Sequence, residues 1–326
     1  MQLVRQKEQS RSFRRSPRAA RSTRGVRVVG AALIVAALVS ACAEPVPDER
    51  TGSGAGSESG PVRPAAGQQP RVEGAAGALH AYVERVRKAR AARIAAARKW
   101  GLAQPPLEAP EPPAVKPRII TRKGFETDGT DLPPVFTTVP TKEKVVFLTI
   151  DDGAEKDPEL LRMMSELRIP YSAFLSDYLV KEDYGYFEKM QDAGVALHNH
   201  TLTHPYLPGL GYAAQKRQIC GMQDVIEKRF GKRPPLFRPP YGNYNEDTLR
   251  AAKACGVKAV PLWASEAFPD RMEWREWDRD LHPGDIILTH FRGKGDWKGS
   301  MPDMIRRVMK TVTAKGYAVA KLEDYV

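Results

Sequence analysis

Long apolar runs, histidine and cysteine are all scarce in this 326-residue chain, and over most of its length so is any excess of charge. The longest apolar stretch, residues 28–39, has twelve residues, whereas a helix that spans a bilayer needs roughly 20. It is short for a transmembrane helix and has the length of the hydrophobic region of an export signal. The formal net charge of +12 looks like a nucleic-acid footprint. Residues 1–118, however, hold 21 Lys or Arg against nine Asp or Glu, and from position 119 onward the two balance at 30 each. The excess sits in the flanks, so no nucleic-acid partner is expected for the globular part. Six histidines are few, and three of them fall between positions 198 and 204.

The N-terminal third is organised for export and reach. A basic region from Arg5 to Arg27 precedes the apolar stretch, and Val39-Ser40-Ala41-Cys42 follows it. The small residues before Cys42 resemble a bacterial lipobox, the site at which the cysteine is lipidated and becomes the mature N-terminus. The expectation is a signal over residues 1–42, a lipid anchor to the membrane at Cys42, and a chain displayed on the extracellular face of a bacterial cell membrane. An uncleaved anchor or a plain secretory signal would equally place the rest outside the cytoplasm. Cys220 and Cys255 fall on successive expected helices and are candidates for a disulfide in that setting. Residues 43–118 read as a tether. Gly, Ser, Pro, Ala and Gln dominate up to about position 77, too little apolar surface for a fold. A basic, weakly amphipathic helix is expected at about 78–100, as a solvated spacer rather than a contact for anionic lipid or wall polymer. Six prolines between 104 and 117 then suggest an extended spacer.

A globular domain is expected over residues 135–326. Its opening segment, VVFLTIDDG at 145–153, is apolar without alternation, as in a parallel strand covered on both faces. Strand and helix patterns then alternate about seven times. The implied architecture is α/β, with parallel strands inside and helices outside, as an open wound sheet or a barrel. Catalytic groups of such folds gather at the carboxyl ends of the strands. Asp151 and Asp152 lie at one such end, and two adjacent carboxylates need a cation, a donor or a shared proton.

The partners come later in the chain. His200 and His204 lie in HTLTH, a spacing that on a helical turn puts both imidazoles on one side, where with one carboxylate they could hold a catalytic metal. As a bare pair they could equally be hydrogen-bonded loop histidines. FRPPYG at 237–242 offers Arg238, whose planar fork suits a carboxylate. Its two prolines stiffen the backbone, so the Tyr241 amide could be held ready for an oxyanion. IILTH ends on His290, which could give a proton to a leaving group or be only a capping or core histidine.

In this order, TIDDG, HTLTH, RPPYG and ILTH resemble the motifs of the polysaccharide deacetylases, the NodB-homology group also called carbohydrate esterase family 4. The similarity covers residues 140–326. It implies a distorted (β/α) barrel of about seven parallel strands with outer helices, and one divalent metal, most often Zn2+, on Asp152, His200 and His204. Asp151 would be the general base, oriented and kept ionised by Arg238, and His290 the acid. Tyr241 and Pro240 would form the oxyanion turn, and Trp263 would line the acetyl pocket. Two departures stand out. Ile150 and Ala154 replace the family's common Phe and Pro, and the motif that places an aspartate before the final histidine strand is replaced by LWASEAFPDRMEW, where Glu266 or Asp270 could support His290.

The reading is a metal-dependent deacetylase of N-acetylated cell-wall or surface polysaccharide, peptidoglycan or a chitin-like polymer, acting as a monomer. An O-acetyl (xylan-type) esterase would use the same groups. A glycan-binding lipoprotein without catalysis would not need Asp151 and His290 together with a full ligand set.

Overall fold

The computed structural model describes residues 70–326. The expected export signal, Cys42 and the tether up to position 69 lie outside the described residues. Helix α1 (Pro70–Lys99) is followed by coil, the short strand β1 (Val135–Phe136) and β2 (Val145–Asp152), whose eight residues are all buried. Then come α2 (Pro158–Leu167), β3 (Ser172–Leu175), α3 (Asp177–Val180), α4 (Tyr184–Asp192), β4 (Ala196–Asn199), α5 (Tyr212–Phe230) and α6 (Glu246–Ala254). The chain finishes with β5 (Val260–Pro261), β6 (Ser265–Ala267), β7 (Met272–Trp274), β8 (Ile286–His290), α7 (Met301–Ala314) and β9 (Ala318–Ala320).

β2 lies between β3 and β8 and runs parallel to both, with Asp151 level with Phe174 on one side and His290 on the other. β4 extends the sheet beyond β3, β6 pairs beside β8, and β9 pairs with the start of β2. Single parallel bridges carry the ring onward, from Asn199 to Phe237 and from Leu236 to Ala259. β5 then pairs with β1, and an antiparallel bridge from Thr138 to Asp285 returns to the edge of β8. The result is a distorted α/β barrel, regular on the side of β2 and held by isolated bridges on the other.

The unalternated apolar run of β2 is explained by burial on both faces. Val146, Leu148 and Ile150 point out to a core shared with α2, α4 and α7, while Val145 and Phe147 point in toward Phe174, Ile286 and Tyr325. The same alternation brings Thr149 and Asp151 inward. α2 shows how the helices are cut to fit. Asp157 caps it by accepting from the Glu159 amide, Pro158 occupies its first turn, and Leu160, Met163, Met164 and Leu167 form the buried stripe.

Several expectations need correction. The pattern at 236–238 reads as a short strand and contributes two bridges instead, and the apolar run at 257–263 reads as a further strand and shortens to β5. The antiparallel β6–β7 hairpin was not foreseen; its strands have three residues each, below the length at which alternation is legible. The folded body also begins well before position 135. Leu79, Tyr82, Val83 and Val86 of α1 are exposed as a spacer's would be, but Ala97 and Trp100 are buried against the core. Trp100 Nε1 donates to Glu166 of α2 at 2.7 Å. Lys116, in the proline-rich stretch, donates to the carbonyls of Glu323 and Val326 at 2.7 and 2.8 Å. Cys220 of α5 and Cys255, just after α6, are joined by a disulfide.

Candidate functional site

The segments leaving β2, β4, Phe237 and β8 converge on one rim of the barrel. Their backbones are bent where they do so. Asp152, Thr201, His204 and Tyr241 have φ of 81°, 75°, 54° and 62°, four of the seven non-glycine residues with positive φ among the described residues. Such conformations cost of order 1–3 kcal/mol each and persist only where neighbours enforce them. Here the enforcement is visible. Asn199 donates to the Ile219 carbonyl at 2.8 Å and accepts from the Thr201 amide at 2.8 Å, and the Thr201 hydroxyl accepts from the His204 amide at 3.0 Å. HTLTH is therefore a hydrogen-bonded loop and not the helical turn its spacing suggested, yet it brings the two imidazoles to 4.8 Å between ring centroids.

Asp152, His200 and His204 offer donor atoms that all lie within 4.8 Å of one another. Asp152 Oδ1 is 3.6 Å from His200 Nε2 and 3.4 Å from His204 Nε2. It is buried and has no hydrogen-bond partner, although buried carboxylate oxygens are ordinarily satisfied. His200 donates from Nδ1 to the Arg238 carbonyl at 2.7 Å, which fixes the tautomer and leaves Nε2 with its lone pair. Burial pushes the His200 pKa down to about 4, so the ring is neutral and able to ligate. An orphaned carboxylate oxygen facing two imidazoles is a donor set that fits a divalent cation.

Behind this set, Asp151 and Arg238 form a buried pair. Arg238 Nη1 donates to Asp151 Oδ1 at 2.7 Å and to Thr149 Oγ1 at 2.9 Å, and Nε donates to the Pro261 carbonyl at 2.8 Å. The guanidinium also lies over Phe174, 4.3 Å from the ring centre. Burial raises the Asp151 pKa to about 6, with Arg238 pulling against it. The carboxylate is thus largely ionised at neutral pH and more basic than an exposed aspartate. Its other oxygen, Oδ2, faces His200 Nε2 at 3.8 Å.

On the opposite wall His290 Nδ1 is 3.4 Å from Glu266 Oε1. The parallel pairing of β6 with β8 sets Glu266 level with Leu288. Asp270, the other candidate, is half-exposed and pairs with Arg271 at 3.1 Å. Burial raises Glu266 to about 7, helped by the nearby charges of Glu273 and Asp151, while burial lowers His290.

These groups line a cavity of about 400 Å³, together with Tyr241 and Trp263. Arg238 stands behind it, and Pro240 is buried in the turn that presents Tyr241. Gly242 keeps that turn close to Trp263: its φ is +67°, and a Cβ there would lie 2.8 Å from the indole. Sequence reasoning missed four lining residues, Leu288, Phe268, Arg292 and Trp297. Leu288 was legible, two residues before His290 on a strand with period 2. The glycine-rich stretch around Arg292 and Trp297 carried no periodic signal.

Residues 138–260 match the polysaccharide deacetylase family, a span that includes Asp151, Asp152, His200, His204 and Arg238 but stops short of Glu266 and His290. An uncharacterized protein of Streptomyces coelicolor is 40% identical over 199 residues, 61% of this chain and 79% of that protein. The peptidoglycan-N-acetylmuramic acid deacetylase PdaA of Bacillus subtilis is 28% identical over 196 residues, 56% of this chain and 72% of that protein. Among solved structures, a peptidoglycan N-acetylglucosamine deacetylase shares the fold with a TM-score of 0.51 at 22% identity, over 59% of this chain and 91% of that one. Fold, motif order and a relative matched over most of its length agree, and the chain belongs to the polysaccharide deacetylase family, the NodB-homology group of carbohydrate esterases.

Proposed function

We propose that the chain is a metal-dependent hydrolase that removes N-acetyl groups from a cell-wall glycan, with peptidoglycan the favoured substrate, while anchored at the outer face of a bacterial membrane through Cys42. The observation that carries this reading is the orphaned Asp152 Oδ1, aimed at two neutral-capable imidazoles beside a raised, buried aspartate. Asp152, His200 and His204 would hold one divalent cation, with zinc suited to two imidazoles and one carboxylate. Once bound, such an ion polarises the acyl carbonyl and makes water acidic enough to act as a nucleophile near neutral pH.

The protein's own groups divide the remaining work. Arg238 occupies Asp151 Oδ1, so Oδ2 is free to take the proton of the attacking water. The Tyr241 amide, in the turn stiffened by Pro240, supports the developing oxyanion. Glu266 beside His290 Nδ1 turns Nε2 toward the cavity, from which it protonates the departing amine. Leu288, Trp263 and Trp297 line the cavity and offer the acetyl methyl an apolar wall. Water and the amide become acetate and a free amino sugar. The test is acetate release by the full chain from acetylated chito-oligomers and muropeptides, with and without zinc, beside Asp151→Asn. Metal-stimulated release that falls by about 10²-fold or more in the variant supports the reading, in keeping with the usual contribution of a general base. Metal binding by the folded protein without release from either glycan would transfer the weight to an O-acetyl ester substrate or to binding alone.

A further inference from the structure

Arg292 lies two residues past His290 and is the one Lys or Arg that lines the cavity among the described residues. Its place is fixed by its neighbour. Phe291 is fully buried, donates its amide to the Asp151 carbonyl at 3.0 Å, and accepts from the Glu155 amide at 2.9 Å. Arg292 is one-third exposed and directs Nη2 to Asp152 Oδ2 at 2.9 Å, with Nη1 3.6 Å from Asp296. The two oxygens of Asp152 are thus in opposite states. Oδ2 carries a charge-assisted hydrogen bond, and Oδ1 has none and faces the imidazoles.

A carboxylate with both oxygens free can chelate a cation through either or both, and its full negative charge then counts toward affinity. A guanidinium on the outer oxygen removes one donor and sets a like charge beside the cation. Both effects leave the ion with fewer protein ligands and less neutralised charge, the condition in which it is most electrophilic. We propose that Arg292 is a positioning residue that keeps Asp152 a one-oxygen ligand and holds down the affinity of the site for its cation. This rests on the metal site argued under Proposed function.

The test compares the full chain with Arg292→Ala, Arg292→Gln and Arg292→Lys, each checked for folding by circular dichroism. Zinc affinity is measured by competition with a chromogenic chelator, and coordination by the visible absorption of the cobalt-loaded proteins. Arg292→Ala should bind zinc about tenfold more tightly, a size at the lower end for groups that contact metal ligands. The sign is opposite to the usual loss, because the usual neighbours raise ligand basicity whereas a guanidinium withdraws charge from the carboxylate. Its cobalt bands should weaken as a further oxygen enters. Arg292→Gln keeps a donor without the charge and should bind more tightly with a native cobalt spectrum. Arg292→Lys should keep the native affinity. Unchanged or weaker zinc binding in folded Arg292→Ala, or an unchanged cobalt spectrum, overturns the inference while leaving the metal site standing. A native chain that binds no cation overturns both.

Discussion

Arg238 is among the largest fully buried side chains of the described residues. It donates to Asp151, Thr149 and two backbone carbonyls, so its removal leaves a carboxylate buried without its counter-ion. Arg238→Met should lower stability by roughly 3–5 kcal/mol, the usual consequence of breaking a buried pair from one side, measured by urea unfolding at pH 7. It should also abolish activity at urea concentrations where the protein is still folded. Glu266 makes the opposite case. Its folded pKa of about 7 lies above its ordinary 4.5 because burial disfavours the charge. The folded protein therefore binds this proton more tightly than the unfolded chain. The penalty is fully present above pH 7 and is relieved as the pH falls from 7 toward 4.5. Glu266→Gln should be more stable than the native protein at pH 8 by roughly 1–3 kcal/mol. The gain should vanish near pH 4. A gain that persists there would mean that Glu266 acts through packing and not through its charge. His290 and both aspartates were legible in the sequence because each ends a recognisable strand. Arg292 was not, because its role depends on where its guanidinium lands.

At the scale of elements, α5 and α6 are held to each other by more than packing. Gln215 of α5 bonds the Leu210 carbonyl and Asn245, the cap of α6, while the Cys220–Cys255 disulfide joins the same two segments across a separation of 35 residues. Closing a loop of that size stabilises by roughly 3–4 kcal/mol in the chain-entropy account. The double substitution Cys220→Ala with Cys255→Ala should therefore lower the urea midpoint, and dithiothreitol should lower the native midpoint to the same value. A midpoint insensitive to reductant would show that the bridge is absent or contributes nothing. Helices were readable from the sequence pattern alone, which places three of them over 158–167, 212–230 and 302–315, and α2, α5 and α7 lie within a residue of those bounds. The far side of the barrel was not readable in the same way. A ring closed by bridges of one residue, such as Asn199 to Phe237, carries no period from which a strand can be inferred.

Across the whole molecule the chief revision concerns where the folded body begins. Composition describes residues 43–118 well, since they are rich in proline, alanine and arginine, but composition does not show that a helix can end by docking. α1 does so with a small apolar set. Ala97 and Trp100 are buried against the core, Trp100 Nε1 and Lys99 Nζ bond the Glu166 carboxylate of α2 at 2.7 and 2.6 Å, and Arg306 of α7 reaches the Trp100 carbonyl at 3.4 Å. None of these residues lines the cavity at the candidate site, so the dock can be broken without touching the proposed chemistry. Trp100→Ala should reduce stability by about 3 kcal/mol, the low end for an aromatic truncation in a core because this site lies at its margin. It should also expose the arginine-rich helix to trypsin. Limited digestion should then release a fragment that begins at position 100, by cleavage after Lys99, while acetate release by the remaining body stays at the native rate. If α1 were a solvated spacer along its whole length, native protein and variant would be cut alike at Arg93, Arg98 and Lys99, and the two would unfold at the same urea concentration.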